Sequence, residues 1–148
     1  MTGQDVTEPD VREIHADGFA LCYPLMRQLR PHIASADEFV ERCRRQRAQG
    51  YRLLALWSAR ECRALAGFRV TESLVHGRFL YVDDLVVDAG ERGCGYGAVL
   101  MDRLKQEGRS LGCAKLVLDT GLDNALAHRF YFRQGLLAMA LRFNTPLG

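Results

Sequence analysis

Tyr81-Val82-Asp83-Asp84-Leu85-Val86-Val87, followed after a short turn by Arg92-Gly93-Cys94-Gly95-Tyr96-Gly97-Ala98, is the stretch whose reading decides the fold. Residues 79–87 are rich in β-branched and aromatic side chains and alternate loosely, which predicts a strand. From Tyr96 the apolar positions change period: Val99, Leu100, Leu104 and Leu111 recur at helical spacing, and Gly112 stands where a left-handed cap ends a helix. Strand, glycine turn and helix therefore follow one another. Gly93, Gly95 and Gly97 alternate in the turn, so a ligand can approach the backbone without meeting Cβ atoms. The first amides of a helix lack intrahelical partners and favour negative charge, so a phosphate fits there. The same glycines also suit a tight turn and close helix packing. The loop lacks the Lys-Ser/Thr ending of a P-loop, and its spacing is too narrow for a dinucleotide fingerprint. Asp119, at the end of the next strand, keeps a dinucleotide as an outside alternative.

Working outward, residues 115–119 read as a strand and residues 124–134 as a helix beginning at Asp123 and Asn124 and stopped by Gly135. Residues 136–143 read as a last strand. Upstream, residues 51–58 and 63–74 read as strands joined by the polar stretch Ala59-Arg60-Glu61, a hairpin of antiparallel partners. Ser35 and Glu38 form a capping-box pattern before a short helix with Phe39, Val40 and Cys43 on one side. Residues 11–15 are a candidate first strand, and Pro24 interrupts or restarts a helical region over residues 19–30. The order of elements predicts an α/β (α+β) fold with a mixed, mostly antiparallel central sheet flanked by helices.

The chain has 148 residues, 48% hydrophobic and 26% charged, without repeats or Pro/Ser-rich linkers, so one domain over residues 1–148 is expected. No apolar run approaches the roughly 20 residues of a membrane span. The first ten residues are polar with three acids and lack the pattern of a secretory signal. A cytoplasmic protein is expected. Its five cysteines are scattered, with no C-x-x-C pair, and read as reduced thiols. The histidines show no metal spacing, so no metal is expected. A net charge of +2, without interleaved basic and aromatic residues, gives no sign of a nucleic-acid partner. The arginines at 42, 44, 45 and 47 read as a solvated helix face.

Two ordered motifs carry a family resemblance. Arg92-x-x-Gly95-x-Gly97, between a strand and a helix, resembles the coenzyme signature of the GNAT superfamily of N-acetyltransferases. Asn124-x-x-Ala127-x-x-Phe130-Tyr131-x-x-x-Gly135-Leu136 is similar to a second family segment, departing at Leu136. The acidic strand at Asp83-Asp84 also resembles the family's. The resemblance implies acetyl-CoA as cosubstrate, with Arg92, Gly93, Cys94, Gly95, Tyr96, Gly97 and Ala98 holding its pyrophosphate and Asn124 its pantetheine arm. It implies direct attack by a primary amine of a small molecule, peptide or protein. The resemblance favours Asp83 as the general base, acting through water; strand alternation lets only one of the two acids face the cleft, and Asp84 is the alternative base if a bulge shifts the register, or binds the amine electrostatically. A backbone amide of Leu85, Val86 or Val87 would meet the coenzyme and the oxyanion, and Tyr131 would protonate the leaving thiolate. Family members of this size often pair, so a homodimer is among the expectations. A non-catalytic acyl-CoA sensor or assembly module is the alternative.

Overall fold

A computed structural model describes residues 9–148; the first eight residues of the polar start fall outside the described residues. The chain divides into two compact units, Met1–Val117 and Leu118–Gly148.

The first unit is built on a sheet whose strands lie side by side in chain order: β1 (Asp10–Ile14), β2 (Arg52–Ser58), β3 (Glu61–Ser73), β4 (Gly77–Val87) and β5 (Lys115–Leu118). The first four form an antiparallel meander. Ala59 and Arg60 turn β2 into β3 with both φ angles positive, 51° and 65°, as a two-residue hairpin matched to strand twist requires. Helices α1 (Phe19–Leu29) and α2 (Ala36–Arg47) connect β1 to β2, and α3 (Tyr96–Ser110) connects β4 to β5. Ser35 caps α2 by accepting from the Glu38 amide at 3.1 Å, while the Glu38 carboxylate accepts from Ala34 N at 2.9 Å.

Side chains alternate along the strands, and the two faces bury different partners. Leu53, Ala55, Leu65 and Val86 join Phe19, Cys22, Leu25 and Met26 of α1 and Phe39 and Cys43 of α2 in one cluster. Leu54, Leu56, Ala66 and Leu80 are equally buried, and α3 contributes Leu100, Met101 and Leu104 to the core. This packing explains one difference from the sequence reading. Pro24 does not break α1, which runs through it without interruption. The proline removes one backbone bond, and the buried stripe Phe19, Cys22, Leu25, Met26 holds the helix in register across it.

In the second unit, α4 (Ala125–Arg133) is capped by Asn124, whose Oδ1 accepts from the Ala127 amide at 3.2 Å, and Gly135 leaves it at φ +86°. Residues 136–143, expected as a strand, form none. A strand is defined by its ladder partner, and this unit offers no neighbouring strand for them to pair with; Leu137, Met139, Leu141 and Phe143 are exposed. Among the described residues no helix is long and apolar enough to cross a membrane.

Candidate active site

The centre of the first unit is an irregularity in the β3–β4 ladder. Gly67 pairs with Asp84 and the next residue, Phe68, pairs with Val82, so Asp83 is an extra residue on β4. This bulge overturns the expectation from simple alternation. Asp83 and Asp84 both line one cavity of about 240 Å³, together with Met26, Arg30, Tyr51 and Gln46. His32 and Arg42 also border it.

The two acids are held differently. Asp84 accepts from Arg30 Nε at Oδ1, 2.9 Å, and from the Tyr51 hydroxyl at Oδ2, 2.8 Å. Asp83 accepts from Arg69 Nε at Oδ2, 3.0 Å, and its Oδ1 has no protein partner among the described residues. Arg69 is itself steadied by Gln46 Oε1 at 2.8 Å and lies 5.7 Å from the Tyr51 ring centroid. Burial raises the pKa of Asp83, against the opposing pull of Arg69. Burial, then the Asp84 charge, keeps the Tyr51 phenol protonated well beyond its usual range. Cys43, another lining residue, is pushed up to about 12, first by burial and then by Asp84, so it stays a thiol.

Beyond the bulge, Leu85, Val86 and Val87 continue the ladder opposite Ala66, Leu65 and Ala64, and Val86 enters the core. The chain then turns through Ala89–Glu91, whose entry is fastened from α1: Gln28 donates to Asp88 Oδ1 at 3.2 Å and accepts from Ala89 N at 3.0 Å. The Gln28 bond and the Gly90 amide lower the Asp88 pKa. Gly93 and Gly95 take φ +95° and +81°, the left-handed region where a Cβ is strained. The first helical bond of α3 is Val99 N to Gly95 O at 3.1 Å, so the amides of Tyr96, Gly97 and Ala98 precede the intrahelical ladder. No acidic residue occupies the first turn of α3. Arg92 and Cys94 belong to the same loop, and Cys94 is exposed. Its thiol pKa is raised by partial desolvation and by Glu91, opposite to the usual influence of a helix N-terminus.

In the second unit Tyr131 is half-buried, with its ring in an edge-on contact 5.4 Å from Phe130, and burial raises its phenol pKa. Asn124 spends its side-chain oxygen on the helix cap. A depression over α4, bordered by His128, Arg129 and Phe132, is open to solvent and holds no carboxylate. Among the described residues no cluster of His, Cys, Asp or Glu is arranged to hold a metal ion.

Arg30, Tyr51, Gly67 and Arg69 were not singled out by the sequence. Gly67 alone carried a signal, since a glycine inside a strand marks a bulge or a close approach.

Residues 13–136 match the acetyltransferase (GNAT) family. The chain is 33% identical over 132 residues to an uncharacterized N-acetyltransferase, YhdJ, of Bacillus subtilis (strain 168), covering 87% of this chain and 92% of that protein. Its fold is similar to that of the aminoglycoside N-acetyltransferase AAC(6')-Iy, crystallised with CoA, at a TM-score of 0.83 and 15% identity over 94% of both chains. A ribosomal-protein-alanine N-acetyltransferase from Brucella melitensis biovar Abortus 2308 superposes with a TM-score of 0.81 at 20% identity, over 95% of this chain and 99% of that one.

Proposed function

The chain belongs to the acetyltransferase (GNAT) family and is an enzyme that transfers an acetyl group to an amine, and we propose that acetyl-CoA is the donor and Asp83 the general base. The observation that carries the reading is the β4 bulge, which turns an acid with one unengaged oxygen into a cavity of small-molecule size.

The loop before α3 suits the donor's pyrophosphate. Its open amides, its two left-handed glycines and a first helical turn without an acid make an anion site of backbone groups, with Arg92, Gly93, Cys94, Gly95, Tyr96, Gly97 and Ala98 surrounding it, and the neighbouring Glu91 carboxylate is paired with Arg63. Acetyl-CoA supplies a thioester carbonyl, an electrophile that a neutral amine attacks without a covalent enzyme intermediate. The acceptor arrives as an ammonium ion, and Asp83 Oδ1, directly or through water, takes its proton. A base with a raised pKa is better matched to that transfer than an ordinary aspartate. The amine then forms the C–N bond, the C–S bond breaks, and a backbone amide in the Leu85-Val86-Val87 stretch stabilises the oxygen charge in between. Tyr131, whose phenol keeps its proton at neutral pH, is the proposed proton donor to the sulfur, the attacking nitrogen giving its second proton to the tyrosinate so formed or to water, and Asn124 is the proposed contact for the pantetheine arm.

The acceptor is a primary amine on a small molecule, peptide or protein, and the proposed domain is a single N-acetyltransferase domain over residues 1–148. The free state of all five cysteines agrees with a cytoplasmic setting. Calorimetry with CoA, followed by acetyl transfer from acetyl-CoA to a panel of amines, tests the reading. Micromolar CoA binding and turnover with at least one amine are expected; tight NAD binding with no response to CoA would overturn it.

A further inference from the structure

Asp84 adjoins the proposed base, yet both of its oxygens are engaged. Arg30 donates to Oδ1 through Nε and, through Nη2, to the main-chain oxygen of Asp83 at 2.9 Å, so one guanidinium spans the bulge. Tyr51 reaches Oδ2 from the start of β2, passing over β3 at Gly67. A Cβ on Gly67 would lie 2.1 Å from the Tyr51 hydroxyl and 2.7 Å from Asp84 Oδ2, so only glycine leaves room for the contact. Gly67 is also the residue opposite Asp84 in the ladder. The residue after α1 and the residue before β2 thus meet on one carboxylate of β4, in the room that a β3 glycine leaves.

We propose that Asp84 is not a second base but the anchor of a positioning clamp, in which Tyr51 and Arg30 fix the bulged peptide so that Asp83 Oδ1 faces the cavity. To act as a base Asp84 would have to give up the Arg30 guanidinium at one oxygen or the Tyr51 hydroxyl at the other, whereas Asp83 takes a proton at Oδ1 without displacing a donor and keeps the Arg69 bond at Oδ2, weakened only by the loss of charge. Arg69 completes the arrangement by holding Asp83 Oδ2 and lying against the Tyr51 ring. Two carboxylates and two guanidiniums balance, so the acids stand side by side without mutual repulsion dominating. A bulge residue has no ladder partner of its own, and a side-chain clamp replaces what the ladder would have supplied. The inference rests on the reading of Asp83 as the base.

The test is steady-state kinetics of the full chain with acetyl-CoA and an acceptor from the amine panel. Tyr51→Phe keeps the ring and removes the hydroxyl: kcat should fall about tenfold, with the KM for acetyl-CoA unchanged within about twofold. The acid limb of kcat should move to higher pH, because the Asp84 charge beside Asp83 loses a screening donor. Arg30→Gln, at a side chain 39% exposed, should give the same pattern without endangering the fold, and Arg30→Lys should recover part of the loss. Asp84→Asn should lower kcat about as much as Tyr51→Phe but move the acid limb to lower pH, because the charge that raises the Asp83 pKa is gone, while Asp83→Asn should cost about 100-fold or more. Wild-type kcat and pH profile in both Tyr51→Phe and Arg30→Gln, or an Asp84→Asn loss as large as that of Asp83→Asn, would overturn the clamp. Wild-type turnover in Asp83→Asn would instead remove the base it serves.

Discussion

The cavity beside β4 and the loop before α3 handle charge in opposite ways. At the cavity three of the four carboxylate oxygens of Asp83 and Asp84 have a side-chain partner, from Arg30 just after α1, Tyr51 just before β2 and Arg69 of β3. At the loop the groups proposed to bind are main-chain amides, two glycines stand in place of side chains, and Gln28 and the Arg63 ion pairs fasten its entry. Chemistry that depends on one proton needs fixed side chains, because small displacements change a proton transfer steeply. Recognition of a doubly charged group needs only oriented amides. The two regions should therefore fail independently and in different kinetic parameters.

Asp83→Asn is expected to break the comparison on the cavity side, lowering kcat about 100-fold or more while the calorimetric affinity for CoA stays the same. Gly95→Val places a β-branched residue at φ +81° and breaks it on the loop side. It should weaken CoA binding about tenfold or more and leave kcat at saturation nearly intact. Equal losses in both parameters from either variant would show that the regions are not independent. The pH profile sharpens the contrast. As the proposed base Asp83 has to be ionised, and because its pKa is raised, kcat should fall about tenfold per pH unit on the acid side of a limb lying above the ordinary aspartate range. CoA binding measured over the same range should be flat by comparison. The smallest effect is expected from Gln28→Ala, which releases Asp88 and Ala89 but leaves the glycines: a rise of about two- to threefold in the KM for acetyl-CoA, read by initial rates.

The loop was legible in the sequence and the cavity was not, for the same physical reason. Glycines at 93 and 95 and the helical period after Tyr96 are local signals, and the structure places α3 at the residues expected. The cap at Ser35, the β2–β3 hairpin and the cap at Asn124 are local in the same sense. The bulge at Asp83 depends on Gly67, Tyr51 and Arg30, which lie 16, 32 and 53 residues away in the chain, and no periodicity reports such convergence. Alternation alone placed the two acids on opposite faces. Pro24 and residues 136–143 show the complementary failure: a propensity is overridden by core packing in one and lacks a ladder partner in the other.

The order of the sheet has a consequence for how the enzyme comes into being. Strands β1 to β5 neighbour one another in the sequence in which they are synthesised, and the β2–β3 and β3–β4 connections are only a few residues long. Short closures carry little entropy and favour rapid pairing. Every residue lining the cavity falls between Met26 and Asp84, so its walls all come from the part of the chain that is synthesised before the loop and α3.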